Sequence, residues 1–178
     1  ALGGAEVGTL PLLDATEGTQ VTVNLDNQLP LAIRPAIAGE GTYAKIAAGQ
    51  SKTFQFTMPP AGTYVFVHAG PREMFFGTGM PHTPNFRPMI GLTGAVISRP
   101  ASGAQVLYDG GPAYDREALL VYEDTDDRWN EVMVHGFNGP RSSYHPNYFT
   151  VNGIAFPDTA SHPDTNVTGN LGDRVLVR

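Results

Sequence analysis

Histidine and methionine side chains are concentrated in one stretch of the sequence, where they could together bind a soft metal ion. His68 precedes a Gly- and Met-rich segment that contains His82 together with Met74, Met80 and Met89. Imidazole and thioether groups are ligands that suit copper. The alternative is that these methionines only pack against the protein core, and we favour it because coordination requires side chains that converge on one point. His68 and His82 are the candidate metal ligands of this chain.

The other three histidines lie in segments that we expect to be connectors. His135, His145 and His162 are each followed by a glycine or a proline. This context is typical of exposed or hydrogen-bonded loop residues. We therefore do not assign them to a metal site.

Carboxylates are clustered at Glu123, Asp124, Asp126 and Asp127. Such a cluster could bind a hard cation such as calcium, but it lacks the glycine and the terminal glutamate of a helix–loop–helix calcium site. We expect instead a solvated acidic turn, in which Trp129 holds the following segment against the protein.

The composition restricts the functions that the chain can have. Its 178 residues contain no cysteine, which excludes disulfides, thiolate zinc sites, thiol nucleophiles and a blue-copper centre with a cysteine ligand. The formal net charge of -6 disfavours binding to nucleic acids and to anionic membranes. No run of about 18 apolar residues is present, so we expect no membrane span.

Short β-strands must position the residues discussed above. With Gly 21 and Pro 15, turn residues punctuate the whole sequence, and the balance predicts an all-β Greek-key sandwich with little helix. Polar and apolar side chains alternate in residues 19–25, which predicts a strand with Val21, Val23 and Leu25 on one buried face.

The next segments predict further strands of the same sandwich. Residues 31–34 form a short run that we expect to end at Pro35. Residues 51–58 and 63–68 flank a Pro-rich turn, and we interpret them as a hairpin whose aromatic side chains belong to the core. Tyr43 is expected to anchor the loop that precedes this hairpin.

Regular patterns are lost between Ala69 and Pro88 and then return. Residues 89–98 form an apolar run, and residues 116–122 predict a buried strand. Residues 148–153 predict a strand that ends in an Asn-Gly turn.

A weak internal repeat suggests that a second unit begins near the end of the chain. The spacing of Gly18, Val21 and Val23 recurs in Gly172, Val175 and Val177. One interpretation is that one sandwich is complete and another has only begun, so that the polypeptide is a fragment. The other is a chance recurrence of a glycine turn followed by alternating valines, and the repeat alone leaves both open.

Three longer segments make the chain resemble the multicopper oxidases. They are Pro-Ala-Gly-Thr-Tyr-Val-Phe at 60–66, Gly-Leu-Thr-Gly-Ala-Val-Ile at 91–97 and Tyr-Phe-Thr-Val-Asn-Gly-Ile-Ala-Phe-Pro-Asp-Thr at 148–159. In that family the first segment leads into copper ligands, the second follows the ligand loop and the third opens the next domain. The resemblance extends from Gly18 to Arg178.

The resemblance implies a division of the chain into cupredoxin-like domains. Residues 1–100 would form a first cupredoxin-like sandwich with a degenerate copper site. Residues 101–145 would be a connector, and residues 146–178 would be the truncated start of a second sandwich.

The resemblance also implies copper ligands, most of which are missing here. A His-x-His pair follows the second strand in the family, whereas residues 31–37 contain no histidine. A second pair follows the Gly-Thr-Tyr strand, where this chain has only His68. A trinuclear copper site shares eight imidazoles between two domains, so this domain cannot supply its usual half. We expect copper to be a cofactor of the family that this chain does not bind alone.

Two functions are compatible with these features. The chain could be the N-terminal part of a multicopper-oxidase-like oxidoreductase, in which other domains carry copper, oxidise a substrate by one-electron steps and reduce dioxygen to water. Alternatively, it could be a copper-free structural or interaction module, because a fold can persist without its site. The resemblance implies a periplasmic or extracellular location in either case.

The adjacent Phe75 and Phe76 indicate how the chain could contact a partner. Neighbouring phenylalanines in an irregular segment often mark an interface, and we expect them to pack against the remaining cupredoxin domains or another subunit. The alternative is that one ring covers the open end of its own sandwich.

Overall fold

The protein is built almost entirely from short β-strands. The structure, a computed structural model, describes residues 6–68, 92–128 and 145–178. The strands are β1 (Glu6–Val7), β2 (Leu10–Thr16), β3 (Gln20–Asp26), β4 (Pro35–Ile37), β5 (Gly41–Thr42), β6 (Ser51–Thr57), β7 (Gly62–His68), β8 (Thr93–Arg99), β9 (Arg116–Ala118), β10 (Tyr122–Thr125), β11 (Tyr148–Val151), β12 (Ile154–Ala155) and β13 (Val175–Val177). Two single-turn 3-10 helices, Asp158–Ala160 and Pro163–Thr165, follow β12.

Two sheets face each other and enclose the main core. The larger sheet has the strand order β1-β2-β8-β7-β4-β5, in which only β2 and β8 are parallel. The smaller sheet is the antiparallel pair of β3 and β6. Val23 and Phe56 from the smaller sheet line one narrow interior gap with Phe66 and Val96 from the larger sheet. The prediction of an all-β sandwich with little helix is confirmed.

The predicted alternation along β3 is confirmed. Val23 is buried and Val21 and Leu25 are half-buried, whereas the polar residues between them are exposed. On the outer face, Gln55 of β6 donates a hydrogen bond to Thr22 of β3 at 3.1 Å. The period of two therefore sorts apolar side chains inward and polar side chains outward.

The predicted hairpin of residues 51–58 and 63–68 is wrong. β6 pairs with β3, whereas β7 pairs with β4 and β8, so the chain crosses from one sheet to the other between them. Pro59 and Pro60 have no N–H group for a hairpin ladder. Their carbonyls instead accept hydrogen bonds from Ser98 at 2.6 Å and from Tyr64 at 2.7 Å.

The predicted strand at residues 31–34 is also wrong. Pro35 begins a strand instead of ending one, because the first position of a strand tolerates a residue without an N–H group. Of the residues before it, Ile33 forms an isolated bridge with Ile46. Tyr43 stacks on Phe54 with ring centroids 4.5 Å apart, which agrees with its expected role as an anchor.

The run at residues 116–122 forms two strands instead of the single one predicted. β9 pairs in parallel with β13, whereas β10 belongs to a three-stranded sheet with β11 and β12. Between β9 and β10, Leu119 and Val121 pack onto Ala95 and Ile97 of β8. Strand β8 is thus buried on both faces, since Val96 lies on the opposite side.

Asn152 joins segments that are distant in sequence. It occupies the Asn-Gly turn between β11 and β12, where both residues have positive φ, as this type of tight turn requires. Its buried amide donates to the carbonyls of Leu119 and Asp164, each at 2.8 Å, and accepts from the N–H of Val121 at 2.7 Å. Its own carbonyl accepts from the N–H of Thr9 at 3.0 Å.

The β1–β2 turn approaches Asn152 so closely that only glycine fits at position 8. A Cβ atom on Gly8 would lie 2.2 Å from the carbonyl oxygen of Asn152. Gly8 has φ +60 and donates its N–H to the carboxylate of Asp164 at 2.8 Å. The N-terminal turn is therefore fixed by residues from the C-terminal third of the chain.

We expect Asn152→Ala to lower the free energy of unfolding by about 3 kcal/mol, because three buried or partly buried backbone groups lose their partner. Urea denaturation followed by circular dichroism measures this change. Asn166→Ala, at an exposed amide that donates to the carbonyl of His162, is the control and should cost less than about 1 kcal/mol. Equal losses in the two variants would contradict the role given to Asn152.

Candidate functional site

The two segments that should carry copper ligands by resemblance lie side by side. In the β4–β7 ladder, Pro35 is opposite His68, Ala36 is opposite Val67 and Ile37 is opposite Phe66. The fold thus brings together segments that are about thirty residues apart in sequence. The side chains of these two segments differ from those of a copper site, because His68 is the only histidine that their described residues contain.

His68 is the imidazole at this junction. It is only 4% exposed, and its Nδ1 accepts a hydrogen bond from the backbone N–H of Arg34 at 2.8 Å. An accepting Nδ1 carries no proton, so this contact requires the lone pair that a metal ion would otherwise use at that atom. His68 therefore links β7 to the residue that precedes β4.

A mostly apolar cavity of about 350 Å³ adjoins His68. Its walls include Leu25, Leu29 and Phe66, and Thr93 contributes a polar group. The hydroxyl of Thr93 is buried, and it has no hydrogen-bond partner in the described part of the chain. Nothing in the sequence marks Thr93, because an isolated threonine in an apolar run carries no signal of its environment.

Asn27 supports the cavity wall. Its buried side-chain amide donates to the carbonyls of Leu31, Ile46 and Ala47, and its Oδ1 accepts from the N–H of Leu29. The NH₂ group of the amide is therefore occupied by backbone carbonyls. Through these bonds Asn27 holds the loops around the cavity in place.

The donor set around His68 does not fit copper. Over residues 6–68, 92–128 and 145–178, no three His, Asp or Glu side chains come close enough to hold a metal ion. One imidazole and one threonine hydroxyl do not provide the several nitrogen or sulfur ligands that copper prefers. His82 lies outside the described residues, as do the three methionines near it, so a site formed by His68 and His82 stays a prediction.

The expectation of a solvated acidic turn is wrong for Asp126. Its side chain is fully buried and forms an ion pair with Arg128 at 2.6 Å. It also accepts hydrogen bonds from the N–H groups of Arg128 and His145. These donors occupy the carboxylate, so it links the segment after β10 to the segment before β11 and is not available to calcium. Trp129 lies outside the described residues.

The environment of Asp126 lowers the pKa of its carboxyl group well below the ordinary range. The main cause is the hydrogen bond from the Arg128 side chain, supported by the N–H of His145, while burial acts in the opposite direction. The net effect favours the ionised form.

The remaining histidines do not approach His68 in the part of the chain that is described. His145 is exposed and uses its backbone N–H to hold Asp126. His162 caps the 3-10 helix Pro163–Thr165, where its Nδ1 accepts from the N–H of Asp164. His135 lies outside the described residues.

An ion network that no sequence motif indicates lies at the opposite end of β8. Arg99 bonds the carboxylates of Asp14 on β2 and Glu117 on β9, each with a contact of 2.6 Å. Arg178 also pairs with Glu117. Both carboxylates raise the pKa of Arg99 above its already high value, with Asp14 as the main cause. The network ties β9 and the last described residue to the larger sheet.

Comparison with known proteins gives matches in structure only. No protein-family model and no curated protein sequence matches the chain. The blue copper oxidase from Nitrosomonas europaea has a TM-score of 0.54 and 20% identity over 84% of this chain and 45% of its own. Lac15 from a marine microbial metagenome has a TM-score of 0.51 and 14% identity over 94% of this chain and 38% of its own. The Cu-containing nitrite reductase (NirK) from Thermus scotoductus SA-01 has a TM-score of 0.53 and 15% identity over 86% of this chain and 33% of its own.

These similarities define the class of the fold. The chain has the cupredoxin-like sandwich that occurs in multicopper oxidases and copper nitrite reductases, and the predicted resemblance is confirmed at the level of the fold. It spans less than half of each of those three proteins. Within the described ranges, no helix is long and apolar enough to cross a membrane.

We expect His68→Leu to lower the free energy of unfolding by about 1–3 kcal/mol, because the N–H of Arg34 loses its acceptor. His68→Asn is the matched control, since its Oδ1 can accept at the position of Nδ1 and should recover part of the loss. Urea denaturation at neutral pH measures both. A leucine variant as stable as the parent would show that this hydrogen bond does not support the junction.

We expect the ionisation of Asp126 to make the free energy of unfolding depend on pH. The pKa of Asp126 is lower in the folded state than the value of about 3.9 in an unfolded chain. The ionised carboxylate therefore makes its full contribution to the free energy of unfolding above about pH 4. The contribution is lost as pH falls through the folded-state pKa. The urea midpoint should therefore fall between about pH 4 and pH 2 more steeply in the parent than in Asp126→Asn. Asp127→Asn, at an exposed neighbour, should follow the parent, and identical profiles for the parent and Asp126→Asn would disprove the effect.

Proposed function

We propose that the chain is the ligand-poor N-terminal part of a multicopper-oxidase-like protein, in which it acts as a structural cupredoxin-like unit. Copper in other domains would carry out the one-electron oxidation of a substrate and the reduction of dioxygen to water. The similarity of fold and the small share of each copper protein that the chain spans support this assignment.

The observation that carries the proposal is the chemistry of the β4–β7 junction. The two segments are paired as a shared ligand site would require, yet in their described residues they provide a single imidazole, His68. That imidazole holds the N–H of Arg34. The hydrogen bond and the apolar side chains therefore hold the two segments together, as shared metal ligands could do at such a junction.

The domain division and the location belong to the same proposal. Residues 1–100 would form the degenerate cupredoxin-like domain, residues 101–145 the connector and residues 146–178 the start of a second domain. A periplasmic or extracellular location would follow from the resemblance. Phe75 and Phe76 lie outside the described residues, and their contact with remaining domains or another subunit stays a prediction.

We expect the 178-residue chain to retain less than about 0.1 equivalent of copper after incubation with copper and extensive dialysis, because one imidazole gives weak coordination. Elemental analysis of protein without an affinity tag measures the content. The control is the double variant His68→Ala, His82→Ala, which should give the same value. About one equivalent in the parent, lost in the double variant, would assign copper to this chain and overturn the proposal.

A second measurement separates the enzyme from a copper-free module. The longer polypeptide of which we propose this chain to be a part, here called the native polypeptide, should contain copper and consume dioxygen in the presence of a one-electron donor. The 178-residue chain alone should do neither. A native polypeptide that holds no copper would favour the structural or interaction module.

A further inference from the structure

The buried hydroxyl group of Thr93 lacks a hydrogen-bond partner. Thr93 begins β8 and is only 6% exposed, and its Oγ1 forms no hydrogen bond with the residues that the structure describes. Leaving a buried hydroxyl group without a partner is costly. In native proteins such groups are usually bonded to protein, to water or to a ligand. Thr93 therefore marks a position where a further hydrogen-bonding group is expected.

Thr93 lines the cavity beside His68. It is opposite Val67 in the β7–β8 ladder, and both residues belong to the wall of this cavity, whose volume is about 350 Å³. Binding sites for small molecules have volumes of about 300–1,000 Å³. An apolar cavity of about 150 Å³ is already large enough for benzene. The space next to Thr93 can therefore hold a molecule with a six-membered ring.

The other polar residues of the cavity wall form hydrogen bonds within the protein. The carboxylate of Asp26 accepts from Gln28 at 3.0 Å and from Ser51 at 2.8 Å. The NH₂ group of Asn27 donates to backbone carbonyls, and Nδ1 of His68 accepts from a backbone N–H. A ligand in the cavity would thus find its hydrogen-bond partner in Thr93.

The charge and the apolar character of the wall favour a neutral ligand. Among the described residues that line the cavity, Asp26 is a carboxylate and none is a lysine or an arginine. An anion would therefore lie near a negative charge without a positive partner, which is costly in an apolar environment. Leu25, Leu29 and Phe66 give the wall its apolar surface. Such a surface suits a molecule that is itself largely apolar.

We propose that this cavity binds a compact, neutral and mostly apolar molecule with one hydroxyl or carbonyl group, which forms a hydrogen bond with Thr93. A threonine hydroxyl can donate to a carbonyl, and it can donate to or accept from another hydroxyl. The apolar part of the molecule would contact Leu25, Leu29 and Phe66. The inference goes beyond the proposed function, because a structural unit needs no small-molecule ligand.

The test uses two probes that differ by one hydroxyl group. Cyclohexanol and cyclohexane are titrated separately into the metal-free 178-residue chain, and amide signals in two-dimensional NMR spectra report the location and the dissociation constant. Thr93→Val replaces the hydroxyl by a methyl group of similar size. Thr16→Val is the matched control, because Thr16 is exposed and pairs with Arg99 at the opposite end of β8.

Cyclohexanol should bind the parent and shift the amide signals of residues that line the cavity, such as Val67. Thr93→Val should raise its dissociation constant about 3- to 10-fold, because one hydrogen bond is lost, and should not weaken the binding of cyclohexane. Thr16→Val should bind both probes as the parent does. Thr93→Ala also lacks the hydroxyl and gives the same comparison if valine prevents folding.

A measurement without any probe tests whether the hydroxyl already has a partner in the chain. The urea midpoint of Thr93→Val should be at least as high as that of the parent, because valine removes a buried polar group that has no partner. A clearly lower midpoint would show that the hydroxyl is bonded within the protein and would contradict the proposal.

Three binding results would also overturn the proposal. The absence of shifts at the cavity with either probe would show that it is closed to ligands. Binding of cyclohexanol to Thr93→Val as tightly as to the parent, or equal weakening of both probes, would show that the hydroxyl does not contact the ligand. Binding of cyclohexanecarboxylate as tightly as cyclohexanol would contradict a neutral ligand. The titrations contain no copper, so their failure is distinct from a failure of the proposed function.

Discussion

The buried amide of Asn152 joins three stretches of chain that are distant in sequence. It holds the carbonyl of Leu119 and the N–H of Val121, which fixes the strip that packs on β8. It also holds the carbonyl of Asp164, and its backbone holds the β1–β2 turn through Thr9. A buried amide that loses its partners is costly, so these positions are mutually dependent. The larger sheet consequently carries structure on both faces, with β3 and β6 on one side and the segment around Leu119 on the other.

The junction of β4 and β7 shows that the described residues can form this ladder without a set of metal ligands. Strand pairing is encoded by backbone hydrogen bonds and by buried side chains such as Ile37 and Val67, none of which needs a metal. The ligands are a separate property of a few positions. In this chain Pro35 and Ala36 pair with His68 and Val67 although neither is a metal ligand. The similarity of fold to copper proteins therefore does not by itself carry their reactivity.

Local patterns predicted the elements better than their connections. The alternation around Val23 and the Asn-Gly turn at Asn152 were read correctly, because both depend on neighbouring residues only. The predicted hairpin of residues 51–58 and 63–68 is wrong, because aromatic side chains face the same core whether two strands pair directly or lie in opposite sheets. The prediction of one strand at residues 116–122 is wrong for a similar reason. An apolar run does not reveal that the chain leaves one sheet after β9 and enters another at Tyr122.

The candidate site was predictable to the same limited extent. The resemblance places His68 at the end of the Gly-Thr-Tyr strand, but its position opposite Pro35 and its hydrogen bond to Arg34 depend on strand register, which composition and spacing do not show. Burial of Asp126 was missed because its sequence neighbours are acidic. The arginine that neutralises it and the N–H of His145 are contacts that only the folded chain brings into place.

The parallel pairing of β2 with β8 has a consequence for the order in which the molecule is assembled. Leu12 pairs with Ala95, so β2 has no neighbour on that side until the later strand β8 has left the ribosome. The turn that precedes β2 waits longer, because its partner Asn152 is made later still. Closing such long loops before any contact forms is slow, and strands that wait unpaired are open to wrong partners. Residues 6–16 are thus made before the segments that hold them and reach their final place only afterwards.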